Sequence, residues 1–175
     1  MRSSMFYNLK GRYAPTVVAA NFIICGFVGW MYETALTSLV FGRFAERGVL
    51  HVPLLPIYGV FALVLPLFFN QETPWPKVFV LGTVGATVFE LIAAFLTEAV
   101  FHQRLWDYLD WPLNFFDGRI SVGSSLIFGG MIVLFIKAIE PLTGYMRKNG
   151  GRLFDIAVLM VAVGAILGEV YLSMG

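Results

Sequence analysis

Residues Val78–Phe101 read "VFVLGTVGATVFELIAAFLTEAVF", and only Glu90 and Glu98 in that run carry charge. A helix that crosses a bilayer needs roughly 20 predominantly apolar residues, and this stretch meets that length without a break. Its small residues are not scattered. Gly82, Ala86, Glu90, Ala94 and Glu98 follow at four-residue intervals, so they drift slowly along one helical face, with Thr97 on the same side. Small residues let a second helix come close, and a carboxylate on such a ridge points into the contact rather than into lipid.

Working outward, the composition agrees with a membrane chain. Of 175 residues, 58% are hydrophobic, 16% aromatic and only 13% charged, and the mean hydropathy is +0.78. Soluble domains average about 25% charged residues, so this chain lacks the polar side chains to cover a soluble globule. The expected architecture is an all-α, polytopic integral membrane helix bundle forming a single transmembrane domain over residues 1–175. Five spans are predicted: Pro15–Phe41, Val52–Phe69, Val78–Phe101, Ser121–Ile139 and Leu153–Ser173. Pro53, Pro56 and Pro66 interrupt the second, because proline removes a backbone donor that lipid cannot replace. An ordered or re-entrant loop is predicted before the fourth span.

Lys/Arg asymmetry orients such a bundle. Arg2, Lys10, Arg12, Lys77, Arg147, Lys148 and Arg152 fall on one side; Arg43, Arg47, Arg104 and Arg119 fall on the other. The N-terminus is therefore predicted to be cytoplasmic, in a bacterial inner membrane. The basic start followed by a long apolar run, without an A-x-A-like site, reads as an uncleaved first span. Cys25 stands alone and has no intrachain partner. A formal net charge of +1 offers nothing to nucleic acid. "NQETPWP" (Asn70–Pro76) and "TGYMRKNGGR" (Thr143–Arg152) read as cytoplasmic links, the second broken at Gly150-Gly151.

Glu33, Glu90, Glu98 and Glu169 all fall inside predicted spans. A charge at the bilayer centre costs about 2.5–3.5 kcal/mol on insertion scales, so intramembrane carboxylates face the bundle interior and mark sites or pathways. Asn21, Cys25, Gly29 and Glu33 make a second stripe like the first, and the two stripes are expected to face each other. Pairing of Glu33 with Arg47 or Arg119 would lower the burial cost. Lys137 and Glu140 read as a helix-surface pair. Gly164-x-x-x-Gly168 suits either close packing within the chain or a homo-oligomer contact. Glu98 and His102, four apart, lack a second ligand pair of recognisable spacing, so no metal and no cofactor is assigned. "YETALTSLVFGR" (Tyr32–Arg43) and "FELIAAFLTEAVFHQR" (Phe89–Arg104) echo one another faintly. A parallel duplication of two-span units and a chance similarity of apolar helices both account for that echo, the second more simply.

Three ordered segments carry a resemblance. "GWMYET" (Gly29–Thr34), "RGVLHVPLLPIYGV" (Arg47–Val60) and "LWDYLDWPLNFFDGRI" (Leu105–Ile120) resemble the ABC-transporter type IV permease (CmpB-like) family over roughly Gly26 to Ile136. The resemblance implies marked residues at Glu33, Arg47, Gly48, Pro56, Tyr58, Gly59, Glu90, Trp106, Asp107, Tyr108, Asn114, Gly118 and Arg119. Two departures stand out: "VP" (Val52-Pro53) replaces the family's G-P, and Leu105-Trp106 replaces a double tryptophan. The family name implies solute transport, and an ATP-driven permease needs a separate ATPase subunit.

Three functions compete on this reading. The favoured one is a transporter-like or substrate-binding permease component for a small-molecule or lipid ligand. Its polar pocket in the outer half of the bundle would draw on Glu33, Arg47, Tyr58, Glu90, Trp106, Asp107, Tyr108, Asn114 and Arg119. A membrane-embedded enzyme acting on a lipid or isoprenoid head group would use the same groups for acid–base assistance, but no nucleophile accompanies them. A structural or assembly subunit would use them only to lock helices together.

Overall fold

The computed structural model describes residues 14–174, so Arg2, Lys10 and Arg12 lie outside the described residues. The chain divides into two compact units, one comprising the described residues up to Phe68 together with Ile139 onward, the other Phe69–Ala138.

In the first unit, α1 (Pro15–Phe41) starts with proline, whose fixed φ suits a first helical turn, and ends at Gly42 with φ 63°. α2 (Pro56–Val64) also starts at a proline and runs into a short 3-10 turn at Leu65–Leu67 around Pro66. The expected second span is therefore helical only over Pro56–Leu67, about 18 Å at 1.5 Å per residue. Pro53 and Pro56 keep the entering segment extended, and the Leu55 amide bonds sideways to the Gly26 carbonyl of α1 at 3.0 Å. The unit's remaining helix, named α5 in chain order, covers Glu140–Ser173. It packs on α1 through Val17, Ala20, Phe154 and Val158. Polar contacts fix that register: Thr143 Oγ1 donates to Asn21 Oδ1 at 2.7 Å, and Thr16 Oγ1 to Asp155 Oδ1 at 2.5 Å.

The second unit opens with an Asn70 turn, in which Asn70 Oδ1 accepts from the amides of Glu72 and Thr73. α3 (Trp75–Phe101) follows, then a two-stranded hairpin of β1 (Asn114–Phe115) and β2 (Ile120–Ser121), then α4 (Val122–Leu134). α3 and α4 meet through glycines. A side chain at Gly129 would overlap Thr83, and one at Gly82 would press on Ile132. Val78, Gly82, Ala86, Glu90 and Ala94 form the buried ridge of α3, so the small-residue stripe is the packing face of that helix. A π-turn at Phe135–Ile139 ends α4. Gln71 Nε2 donates to the Ile136 carbonyl there, and Lys137 Nζ donates to the Thr73 and Gln71 carbonyls at 2.5 and 2.7 Å. Lys137 thus serves the Asn70 turn rather than a helix-surface pair, and Glu140 is buried.

Three helical stretches are long and apolar enough to cross a membrane: Pro15–Leu39, Trp75–Phe101 and Val122–Ser173. In the third only 6% of the most apolar window is buried although its hydropathy is 2.2. Outward apolar surface on that scale belongs against lipid. The fourth and fifth predicted spans both fall in this stretch, whose backbone leaves helical geometry at Gly151 (φ 52°, ψ −125°). Glycine accepts that conformation at little cost.

Candidate functional site

Each unit holds a glutamate on its long apolar helix that accepts a hydrogen bond from a tyrosine hydroxyl. In the first unit Tyr58 Oη donates to Glu33 Oε1 at 2.9 Å, and Arg47 Nε lies 3.5 Å from Glu33 Oε2. Proline at the start of α2 places Tyr58 in its first turn. Gly29 lets the ring lie directly on α1, where any Cβ would overlap it. Arg47 is placed by its backbone: its amide donates to Thr34 Oγ1 at 3.2 Å, and Gly48 follows with φ 114°. Glu33, Arg47 and Tyr58 therefore meet in one half-buried cluster.

The same unit contains a second acidic clamp that sequence reasoning left outside the site. Glu169 Oε2 accepts from the amides of His51 and Val52 at 2.7 and 3.1 Å, and its Oε1 lies 3.1 Å from His51 Nδ1. Gly168 sits against Val52. The residue that departs from the family's G-P pair is thus held by its backbone at the end of α5.

In the second unit Glu90 is buried, at 7% exposure. Tyr108 Oη donates to its Oε1 at 2.8 Å, and Ser124 Oγ lies 3.5 Å from its Oε2. The Tyr108 ring is braced edge-on by Trp111 at 5.3 Å. Ser124 belongs to a capping box with Ser121 at the start of α4. That Ser-x-x-Ser spacing was the signal by which Ser124 could have been added to the candidates.

Glu98, one loop further on, forks two arginines. Its Oε1 lies 3.1 Å from Arg104 Nε and its Oε2 2.7 Å from Arg119 Nη2. The Arg119 guanidinium lies 4.7 Å above the Phe95 ring. The Glu98 hydrogen bond, opposed by partial desolvation, holds Arg119 above its ordinary pKa and keeps it cationic. With His102 and Gln103 these residues line an open cleft of about 350 Å³.

Trp106, Asp107 and Asn114 brace the loop. Trp106 Nε1 donates to the Arg119 carbonyl, Asp107 Oδ1 accepts from the Leu109 amide, and Asn114 Nδ2 donates to the Leu109 and Trp111 carbonyls. The hairpin turns over Asp117-Gly118, both with positive φ, closed by the Arg119 amide on the Phe116 carbonyl at 3.3 Å. Positive φ at both central residues is the type I′ pattern, for which Asp-Gly is a preferred pair. Leu113 and Phe116 also hold φ 54°, at roughly 1–2 kcal/mol each for residues with a Cβ. Arg119 Nη1 on the Phe116 carbonyl, Arg104 Nη1 on the Asp117 carbonyl and the Val122 amide on the Leu113 carbonyl impose that conformation. Among the described residues no three His, Cys, Asp or Glu side chains are grouped so as to hold a metal ion.

Apolar helices of spanning length, with carboxylates held by hydroxyl and guanidinium donors, define an integral membrane protein of the helical class. Comparison with known families makes this narrower. Residues 20–174 match the model of the family described as "Putative ABC-transporter type IV", and the chain belongs to that family. No curated protein and no solved structure matches it.

Proposed function

We propose that the chain is the ligand-contacting membrane component of a transport apparatus. Its contact groups are Glu33, Arg47 and Tyr58 in one unit, and Glu90, Tyr108 and Arg119 in the other. The observation that carries this reading is the repeated one: in each unit an apolar helix bears a glutamate whose carboxylate is met by a tyrosine hydroxyl at 2.9 or 2.8 Å. Intramembrane carboxylates concentrate at ligand and ion sites, and the family description supports transport. Trp106, Asp107 and Asn114 act by holding the loop that delivers Tyr108 and Arg119.

In this reading the chain crosses a bacterial inner membrane five times with its N-terminus inside. The 52-residue stretch Val122–Ser173 would measure about 78 Å as continuous helix. That is more than twice a hydrocarbon core of about 30 Å, so it supplies two crossings joined by the basic link around Gly151. α1 and α3 supply two more, and the proline-bounded Pro56–Leu67 helix, short of a full span, supplies the fifth with its extended entry. A separate ATPase subunit supplies the energy.

The test is mass spectrometry of metabolites and lipids that co-purify with the full-length protein, wild type beside Glu33→Gln and Glu90→Gln. A species retained by the wild type and depleted in either variant is the expected result. Identical spectra from all three, with nothing retained, overturn the proposal.

A further inference from the structure

The hairpin between α3 and α4 carries its apolar side chains on the outside. Leu109, Leu113, Phe115 and Phe116 are 52–67% exposed. Two of the four, Leu113 and Phe116, sit on left-handed backbone; the Val122 amide donates to the Leu113 carbonyl and Arg119 Nη1 to the Phe116 carbonyl. Strain of this kind persists only where surrounding contacts over-determine it, and it accompanies function. Here it fixes two residues whose side chains stand exposed at the tip.

We propose that this tip is inserted into the lipid interface and anchors the loop at the membrane surface, its partner being the bilayer rather than protein. The argument for lipid is continuity. The preceding helix Trp75–Phe101 and the following stretch from Val122 are both of spanning length, so a 20-residue link between them begins and ends at the membrane boundary. The helix ends that flank the loop are apolar and exposed as well, at Val100 and Phe101 before it and Val122 and Leu126 after it. Arg104 and Arg119 lie at its base, both tied to Glu98 at the end of the preceding helix. An interfacial segment of this composition binds by burying apolar side chains at the headgroup–acyl boundary. This inference deepens the functional proposal, since the same loop carries Tyr108. It does not depend on ligand binding for its test.

The experiment uses the full chain in a Cys25→Ser background, reconstituted in phosphatidylcholine nanodiscs. Single cysteines at Leu113→Cys, Phe116→Cys and, as an exposed control, Glu72→Cys carry an environment-sensitive fluorophore. Quenching is read with aqueous iodide and with lipids bearing a nitroxide near the headgroup. Insertion predicts that labels at 113 and 116 are quenched severalfold more by the shallow nitroxide than the label at 72, and severalfold less by iodide. Iodide quenching equal to the control overturns the proposal in favour of a solvated loop. Protection from both quenchers overturns it in favour of a second protein surface. Leu109→Cys, at a residue with ordinary backbone, is the companion variant should labelling at the strained positions disturb folding.

Discussion

The two units solve one problem by different means. Both bring a tyrosine hydroxyl onto a glutamate in an apolar helix, yet Tyr58 lies 25 residues from Glu33 and Tyr108 only 18 from Glu90. In the first unit the tyrosine rides on a helix, and its place is set by contact: Gly29 offers a flat spot for the ring and Pro56 starts the helix that carries it. In the second the tyrosine rides on a loop, and its place is set by a network of side chains bonded to backbone carbonyls. The arginines differ accordingly. Arg47 faces Glu33 itself, with side chains 33% and 28% exposed. Arg104 and Arg119 serve a second carboxylate, Glu98, while the hydroxyls of Tyr108 and Ser124 lie against Glu90. One cluster is steric in origin and half-open; the other is wired and more deeply buried.

That contrast is broken most severely at the glycines. Gly29→Leu drives a side chain into Tyr58, and Gly129→Leu drives one into Thr83 and Phe79. Overpacking of this kind costs about 3 kcal/mol or prevents folding. Gly85→Leu, on the same helix as the Gly82 ridge but with nothing near its Cβ, is expected to stay within about 0.5 kcal/mol of wild type. Thermal unfolding of detergent-purified variants reads the difference. Should Gly29→Leu melt alongside Gly85→Leu, the steric account of the first cluster is wrong.

A smaller effect separates the arginines. Arg119→Gln removes contacts to Glu98, Asp117, the Phe116 carbonyl and the Phe95 ring together, and releases a strained turn. Arg47→Gln removes a partly solvated ion pair from Glu33, of the kind that contributes little. The melting temperature is expected to fall clearly for Arg119→Gln and slightly for Arg47→Gln. Proteolysis should also cut the 105–121 loop faster in the first variant only. Equal behaviour of the two variants would remove the distinction between a wired loop and a steric contact.

The long helices were legible because lipid imposes a simple rule, apolar length, and Pro15–Phe41 was read to the residue. The start of α3 was missed by three residues because Trp75 and Pro76 sit in what reads as a turn, although proline in a first helical turn is well tolerated. The second segment was read as broken, but not as this short, since hydropathy alone does not register that the extended residues before Pro56 find a carbonyl partner on Gly26. Within the site, Glu33, Arg47 and Tyr58 could be grouped by type and family pattern. That Trp106, Asp107 and Asn114 bond the loop's own backbone was invisible, because a sequence shows a polar side chain but not the carbonyl it serves. The Asp-Gly turn was readable in principle. The faint likeness of Tyr32–Arg43 to Phe89–Arg104 aligns Glu33 with Glu90, and the structure adds that both glutamates receive a tyrosine.

The finest comparison lies in those two hydroxyls. Tyr108→Phe takes a donor from a carboxylate that is 7% exposed, where solvent is poorly placed to replace it. Hydrogen bonds to charged groups contribute about 1.5–3 kcal/mol, and neutral or solvated ones nearer 1 kcal/mol. The expected cost is therefore about 2 kcal/mol for Tyr108→Phe and about 1 kcal/mol for Tyr58→Phe, since Glu33 keeps both Arg47 and access to water. Double-mutant cycles with Glu90→Gln and Glu33→Gln isolate each pair from its surroundings. A larger coupling in the second unit supports burial as the source of the difference. A larger coupling in the first would mean that the Gly29 contact, by fixing the ring, strengthens its hydrogen bond more than exclusion of water does around Glu90.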